Sequence, residues 1–172
     1  MLWAAPPPPI AKSRSGVSMN RITFQFSSSR DPLSALIRWF SHSNYSHVDL
    51  VRNDGSLLGA RFEGGVAVRP DGYANFNRTL RVTVDSPAAR AVYDYADSQV
   101  GKPYDWRAIA GFASGRSWMD DDRWFCSELA IASLIRGRFF NCEMPFLRQS
   151  KITPGDALLI LEPFVSAYAE SS

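Results

Sequence analysis

Three observations predict an α+β fold with a mixed or antiparallel sheet. Short stretches alternate apolar and polar residues at period two, others repeat apolar residues at helical spacing, and turn words separate them. Arg21 to Phe26 alternates, with Ile22, Phe24 and Phe26 on one face, and reads as a strand. Asp31-Pro32 is a helix start, an N-cap acid followed by proline at the first helical position. Leu33, Leu36, Ile37 and Phe40 then repeat at helical spacing. Ser41 to Ser46 is a polar loop. Val48 to Val51 and Leu57 to Phe62 flank Arg52-Asn53-Asp54-Gly55-Ser56, a hairpin signal. Val66 to Arg69 continues the sheet after Gly64-Gly65. Thr79 to Val84 alternates again. Ser86-Pro87 opens a helix running to about Val100. Asp105 to Phe112 reads as helical, and Ser114 to Arg123 as a loop with three consecutive acids. A helix begins at Cys126, and Ala157 to Leu161 reads as a last strand after a Pro154-Gly155 turn.

The chain has 172 residues, 45% hydrophobic and 21% charged, enough for one domain with its own core. A net charge of +2 with scattered arginines gives no basic patch for nucleic acid. No apolar run approaches the ~20 residues that span a bilayer, so no transmembrane segment is expected. Two cysteines, Cys126 and Cys142, are too few for a disulfide framework and fit a reducing compartment. No close His/Cys spacing marks a metal site, and no cofactor is expected. Residues 1–18 hold a polyproline run, Pro6 to Pro9, and a polar stretch from Lys12 to Ser18. They read as a disordered extension, with translation starting at Met19, and Met1 to Ala5 is too short an apolar run for a signal peptide. The expected domain is 19–165, with 166–172 a tail. The expected location is the cytoplasm, with virion association as the alternative.

Candidate chemistry centres on Trp124-Phe125-Cys126-Ser127-Glu128-Leu129. A cysteine opening an apolar helix meets the partial positive charge and free N–H groups of the helix N-terminus, which favour thiolate over thiol. Leu129 to Ile135 runs without Gly or Pro, and Arg136-Gly137 supplies a basic last turn and a stop. A thiolate nucleophile needs a base, and His47 starts a strand-like run. His42 sits in the preceding loop and is expected to be exposed.

The order His first, Cys last, together with three local words, resembles the circularly permuted NlpC/P60-type cysteine hydrolases of the YiiX/YaeF-like group, including prophage-encoded members. Ser46-His47-Val48-Asp49-Leu50-Val51 and the hairpin after it resemble the family's histidine hairpin. Gly101-Lys102-Pro103-Tyr104 resembles the segment that precedes the nucleophile, and Phe125-Cys126-Ser127-Glu128-Leu129 the nucleophile helix start. The resemblance covers roughly Met19 to Pro163. It implies a papain-like fold and a thiol hydrolase, peptidase or amidase, cleaving an amide, isopeptide or ester bond. Cys126 would be the nucleophile, His47 the base, and Tyr104 a donor to the oxyanion beside the backbone N–H of Cys126.

The chain departs from that pattern at the third polar group. Counting along the hairpin from His47, the resemblance places it at Gly59, followed by Ala60. Glycine has no side chain to orient an imidazole. Glu63 and Asp49 are the substitutes, one of the two orienting His47, and a Cys–His dyad is the remaining option. Asn141-Cys142-Glu143-Met144 resembles a word of lecithin:retinol acyltransferase-like enzymes, but Met144 stands where those have histidine and Pro145 follows. Cys142 is therefore expected to be structural. Glu128 belongs to the first helical turn, where a carboxylate favours the helix regardless of chemistry. Two rival functions follow. Gly59 favours a non-catalytic phage or prophage structural or binding module. A lipid acyltransferase would need an apolar surface, for which Trp39, Phe40, Trp118 and Phe139-Phe140 are candidates. The expected substrates are thus a peptide, a cell-wall peptide or an acyl lipid. Nothing in the sequence sets the oligomeric state.

Overall fold

The computed structural model describes residues 20–106, 122–140 and 152–171. The elements run β1 (Arg21–Ser28), α1 (Pro32–Ser41), β2 (His47–Val51), β3 (Leu57–Arg61), β4 (Gly65–Arg69), β5 (Arg78–Asp85), α2 (Ala89–Ser98), α3 (Cys126–Arg136), α4 (Pro154–Leu161), a 3-10 turn (Glu162–Phe164) and β6 (Val165–Ser171). The fold is α+β. Six strands form one sheet in the order β4-β3-β2-β1-β5-β6, every neighbour antiparallel.

Alternation along the strands sends one set of side chains into the core. Ile22, Phe24 and Phe26 of β1, Val48 and Leu50 of β2, and Val82 and Val84 of β5 are almost wholly buried. They meet Val92 and Ala96 of α2 and Leu129, Ile131 and Leu134 of α3. Burying each large apolar side chain contributes roughly 1.5–3 kcal/mol before chain entropy is counted. Helix α3 packs on α2, β2 and β3. That packing brings its first residue to the start of β2.

Helix α1 begins as expected. The Asp31 carboxylate accepts from the Ser34 backbone N–H at 2.8 Å, and Pro32 takes the first helical position. Helix α1 ends at His42, whose positive φ of 47° closes the turn and leaves its side chain exposed.

The last strand expected from the sequence is corrected. Residues 157–161 lie in helix α4, not a strand. Five apolar residues fit either element, and the cap decides. Thr153 Oγ1 accepts from the Asp156 N–H at 3.1 Å, and the Asp156 carboxylate accepts from the Thr153 N–H at 2.9 Å. This reciprocal pair, with Pro154 at the first helical position, starts a helix. The tail expected over 166–172 is corrected too. Val165–Ser171 is a strand that pairs with β5, with a bulge between Thr83 and Val84. Its alternation is weak because, as a sheet edge, it buries little. Residues 1–18, most of the 105–112 helix, nearly all of the acidic loop over 114–123, and Cys142 lie outside the described residues. No helix among the described residues is long and apolar enough to cross a membrane.

Candidate active site

His47 is the first residue of β2 and faces Ser27 across the β1–β2 ladder. Period two puts Asp49 on the same face of the strand, while Val48 and Leu50 go to the core. His47 Nε2 lies 2.9 Å from Asp49 Oδ1, with side-chain exposures of 12% and 0%. The Tyr73 hydroxyl donates to Asp49 Oδ2 at 3.0 Å and lies 3.3 Å from His47 Nε2. Arg61 Nη1 donates to the same hydroxyl at 2.9 Å. Both carboxylate oxygens of Asp49 therefore have partners, as a fully buried charge requires.

Cys126 opens α3. Phe125 precedes it in extended conformation, and the Glu128 carboxylate accepts from the Phe125 N–H at 3.3 Å. Glu128 thus caps the helix, the role its place in the first turn implied. Cys126 is 2% exposed, and its thiol lies close enough to the His47 ring to act on its charge. Asp49 occupies Nε2, so a bond from the ring to the sulfur would have to use Nδ1. The histidine thus bridges a carboxylate and a thiol.

Gly59 explains the missing polar group. A Cβ built on it would lie 1.9 Å from Asp49 Oδ1. A side chain at position 59 and a carboxylate at position 49 compete for one volume. Here the volume belongs to Asp49, and the acceptor reaches His47 from β2 instead of β3. Of the two candidate orienting acids, Asp49 holds the imidazole. Glu63 is exposed in the turn after β3, and its backbone carbonyl accepts from Arg69 Nη2.

Tyr104 is held beside the start of α3. It pairs with Trp124 in an isolated parallel bridge, with Trp124 N–H donating to Pro103 O at 3.1 Å and Asp105 N–H donating to Trp124 O at 3.0 Å. The same segment is fastened to β4, where Val66 N–H donates to Lys102 O at 2.9 Å. Gly65 has φ +62°, and a Cβ there would lie 2.3 Å from Lys102 O, so the close approach needs glycine. The Tyr104 ring packs between Phe125 and Phe62, at centroid distances of 5.8 and 6.3 Å. Burial first, then the neighbouring Cys126, push its hydroxyl well above the usual tyrosine range. It therefore keeps its proton and is a donor.

A cleft of about 350 Å³ opens over these groups. Its lining includes His47, Arg61, Phe62, Glu63, Phe76 and Tyr104, together with Ser27, Ser28, Ser29, Ser34 and Ser46. Cys126 interacts with two of the wall residues, His47 and Tyr104.

The electrostatics follow from burial and neighbours. Burial alone would drive the His47 imidazole down, but Asp49 and Cys126 outweigh it and raise the imidazole to about 9. Burial would raise the Asp49 carboxyl; His47 and the Tyr73 hydroxyl hold it below the usual carboxylate range. Folding thus raises His47 from 6.5 to about 9. The linked stability is fully present below pH 6.5 and is lost as pH rises through 9. Thermal melts from about pH 6 to about pH 10 should fall by several degrees. In His47→Gln the fall should be much smaller over the same window. A wild-type melting temperature flat across it would contradict a charged His47–Asp49 pair.

Sequence reasoning missed Arg61 and Tyr73. Arg61 had a signal, since period two puts it on the same face of β3 as Gly59. Tyr73 had none, because it lies in the β4–β5 connection, where no periodicity predicts direction.

With this architecture in view, comparison with solved structures finds a neighbour. The fold is similar to that of YiiX. This is the metalloprotein YiiX from Escherichia coli O157:H7, DUF1105, matched at TM-score 0.58 and 17% identity over 89% of this chain and 96% of that one. Five structure chains match in all. No family model matches, and no curated protein does. At this identity the likeness to YiiX speaks for the fold. YiiX is described as a metalloprotein; among the described residues here, no three His, Cys, Asp or Glu side chains converge as a metal site needs. His47 Nε2 and Asp49 Oδ1 are spent on each other.

Proposed function

We propose that this protein is a thiol hydrolase acting through a Cys126 acyl-enzyme. The observation that carries the reading is the single imidazole placed between the Asp49 carboxylate and the Cys126 thiol. Cys126 Sγ, whose proton His47 already holds as an imidazolium, attacks the carbonyl carbon of an amide, isopeptide or ester as a thiolate. The carbonyl electron pair moves to oxygen, where the Tyr104 hydroxyl and the Cys126 backbone N–H stabilise it. The C–N or C–O bond then breaks, and His47 gives its proton to the leaving group. Water activated by the same imidazole attacks the thioester and frees the carboxylate and the thiol. Asp49 keeps Nε2 engaged so that Nδ1 faces the sulfur throughout.

Gly59 no longer favours a non-catalytic module, because the acceptor it lacks is present at Asp49. Phe139 and Phe140 stack with Phe164 at 5.1 and 5.9 Å, leaving Trp39 and Phe62 among the exposed aromatics. A peptide or cell-wall peptide is the preferred substrate class. The test is a rapid-mixing burst with a p-nitrophenyl ester, followed by intact mass. One acyl group per chain on Cys126 supports the reading; no burst and no adduct rejects it.

A further inference from the structure

We infer that Arg61, acting through the Tyr73 hydroxyl, is a positioning residue that fixes the Asp49 carboxylate against His47 and offsets the site's second negative charge. The inference rests on the thiol-hydrolase reading and extends it to two side chains outside the expected Cys–His–acid set.

The first support is proton bookkeeping. A tyrosine hydroxyl has one proton and two lone pairs. Its proton goes to Asp49 Oδ2 at 3.0 Å, so it accepts from Arg61 Nη1 at 2.9 Å and lies within reach of His47 Nε2 at 3.3 Å. The direction of each bond is fixed by the permanent cation at one end. An arginine guanidinium cannot accept, so Tyr73 must donate toward Asp49.

The second support is how Arg61 is held. Its guanidinium carbon lies 5.0 Å from the Tyr73 ring centroid and 5.6 Å from that of Phe76, which themselves meet edge to face. Two aromatic faces fix the fork without neutralising it. Arg69 also lies over the Tyr73 ring, at 5.5 Å, but its donors are spent on backbone. It donates to the carbonyls of Gly59, Ala67, Glu63 and Gly65, a structural clamp on the β3–β4 turn. Among the described residues, Arg61 makes no such backbone bonds and no carboxylate lies within ion-pair distance of it.

The third support is charge. When the thiol ionises, the site holds two anions, Asp49 and Cys126, and one imidazolium. Arg61 is the second cation within electrostatic reach of both anions. The ionisable groups facing the His47–Asp49 pair are Cys126 from α3, Arg61 from β3 and Tyr73 from the β4–β5 loop, with Tyr104 beside Cys126 and Glu63 in the cleft lining.

The test is an NMR titration of the His47 imidazole in the full chain, assigned with His42→Gln. Asp49→Asn should lower the His47 midpoint. Arg61→Gln should raise it by roughly one pH unit, because a neighbouring cation is gone. Arg61→Lys should return it toward wild type. Tyr73→Phe keeps both ring and stacking; it should also raise the midpoint by releasing carboxylate charge toward His47. Arg61→Gln with Tyr73→Phe should exceed neither single change by much, since the two act as one unit. A merely structural arginine would change the melting temperature and leave the midpoint alone. If Arg61→Gln does not fold, Tyr73→Phe carries the test. Midpoints unmoved in both Tyr73→Phe and Arg61→Gln would overturn the inference. The titration needs no turnover. Shifted midpoints in a chain that never acylates would reject the hydrolase reading alone, and unshifted midpoints in an active chain would reject this one alone.

Discussion

Cys126→Ala should lower the rate of ester or peptide cleavage by at least about 10³-fold, because it removes the thiol that forms the proposed acyl intermediate beside His47. The fold should survive. Cys126 is 2% exposed, and alanine removes one sulfur from a helix start held by the Glu128 cap and by α3 packing on β2 and β3. Melting should stay within a few degrees of wild type. His47→Ala should lower activity to a similar extent, since nucleophile and base work as a unit. Residual turnover in Cys126→Ala near the wild-type rate would place the chemistry on another residue.

Gly59→Ala should disturb the Asp49 carboxylate directly. The new Cβ would stand 1.9 Å from Asp49 Oδ1 and 3.4 Å from the Asp49 Cα, so either the carboxylate leaves His47 or the strands part. Overpacking of this kind costs about 1–3 kcal/mol. Loss of the orienting acid should add a fall in activity of about 10²-fold or more. The two effects separate in the double variant Asp49→Ala with Gly59→Ala. There the clash and its overpacking cost are gone, while the stability linked to the His47–Asp49 pair stays lost and activity stays low because His47 Nε2 has no carboxylate. Full activity in Gly59→Ala would show that Asp49 does not orient the base.

Much of this was legible in the sequence, and the reasons are local. Strand alternation marked Phe24 and Phe26 for the core, and Asp31-Pro32 marked the start of α1. The apolar run after Cys126 marked α3, and with it a thiol at a helix N-terminus. Period two also put Asp49 on the face of His47, yet it did not choose between Asp49 and Glu63. That choice depends on free volume at Gly59, a property of two adjacent strands that no single strand encodes. Residues 157–161 went wrong because apolar content outweighed the Thr153–Asp156 cap. Strand β6 was missed because an edge strand with Tyr168 exposed has little apolar period to read. Tyr73 was invisible for a different reason: a loop residue acquires its direction only when the sheet beside it has formed.

The most direct measurement of the central claim is limited alkylation with iodoacetamide followed by peptide mapping, on the wild type, His47→Ala and His42→Ala. The account predicts preferential labelling of Cys126 over Cys142 in the wild type. It predicts a slower reaction whose profile moves to higher pH in His47→Ala, and no change in His42→Ala. Preferential labelling of Cys142, or a Cys126 profile indifferent to His47, would contradict it.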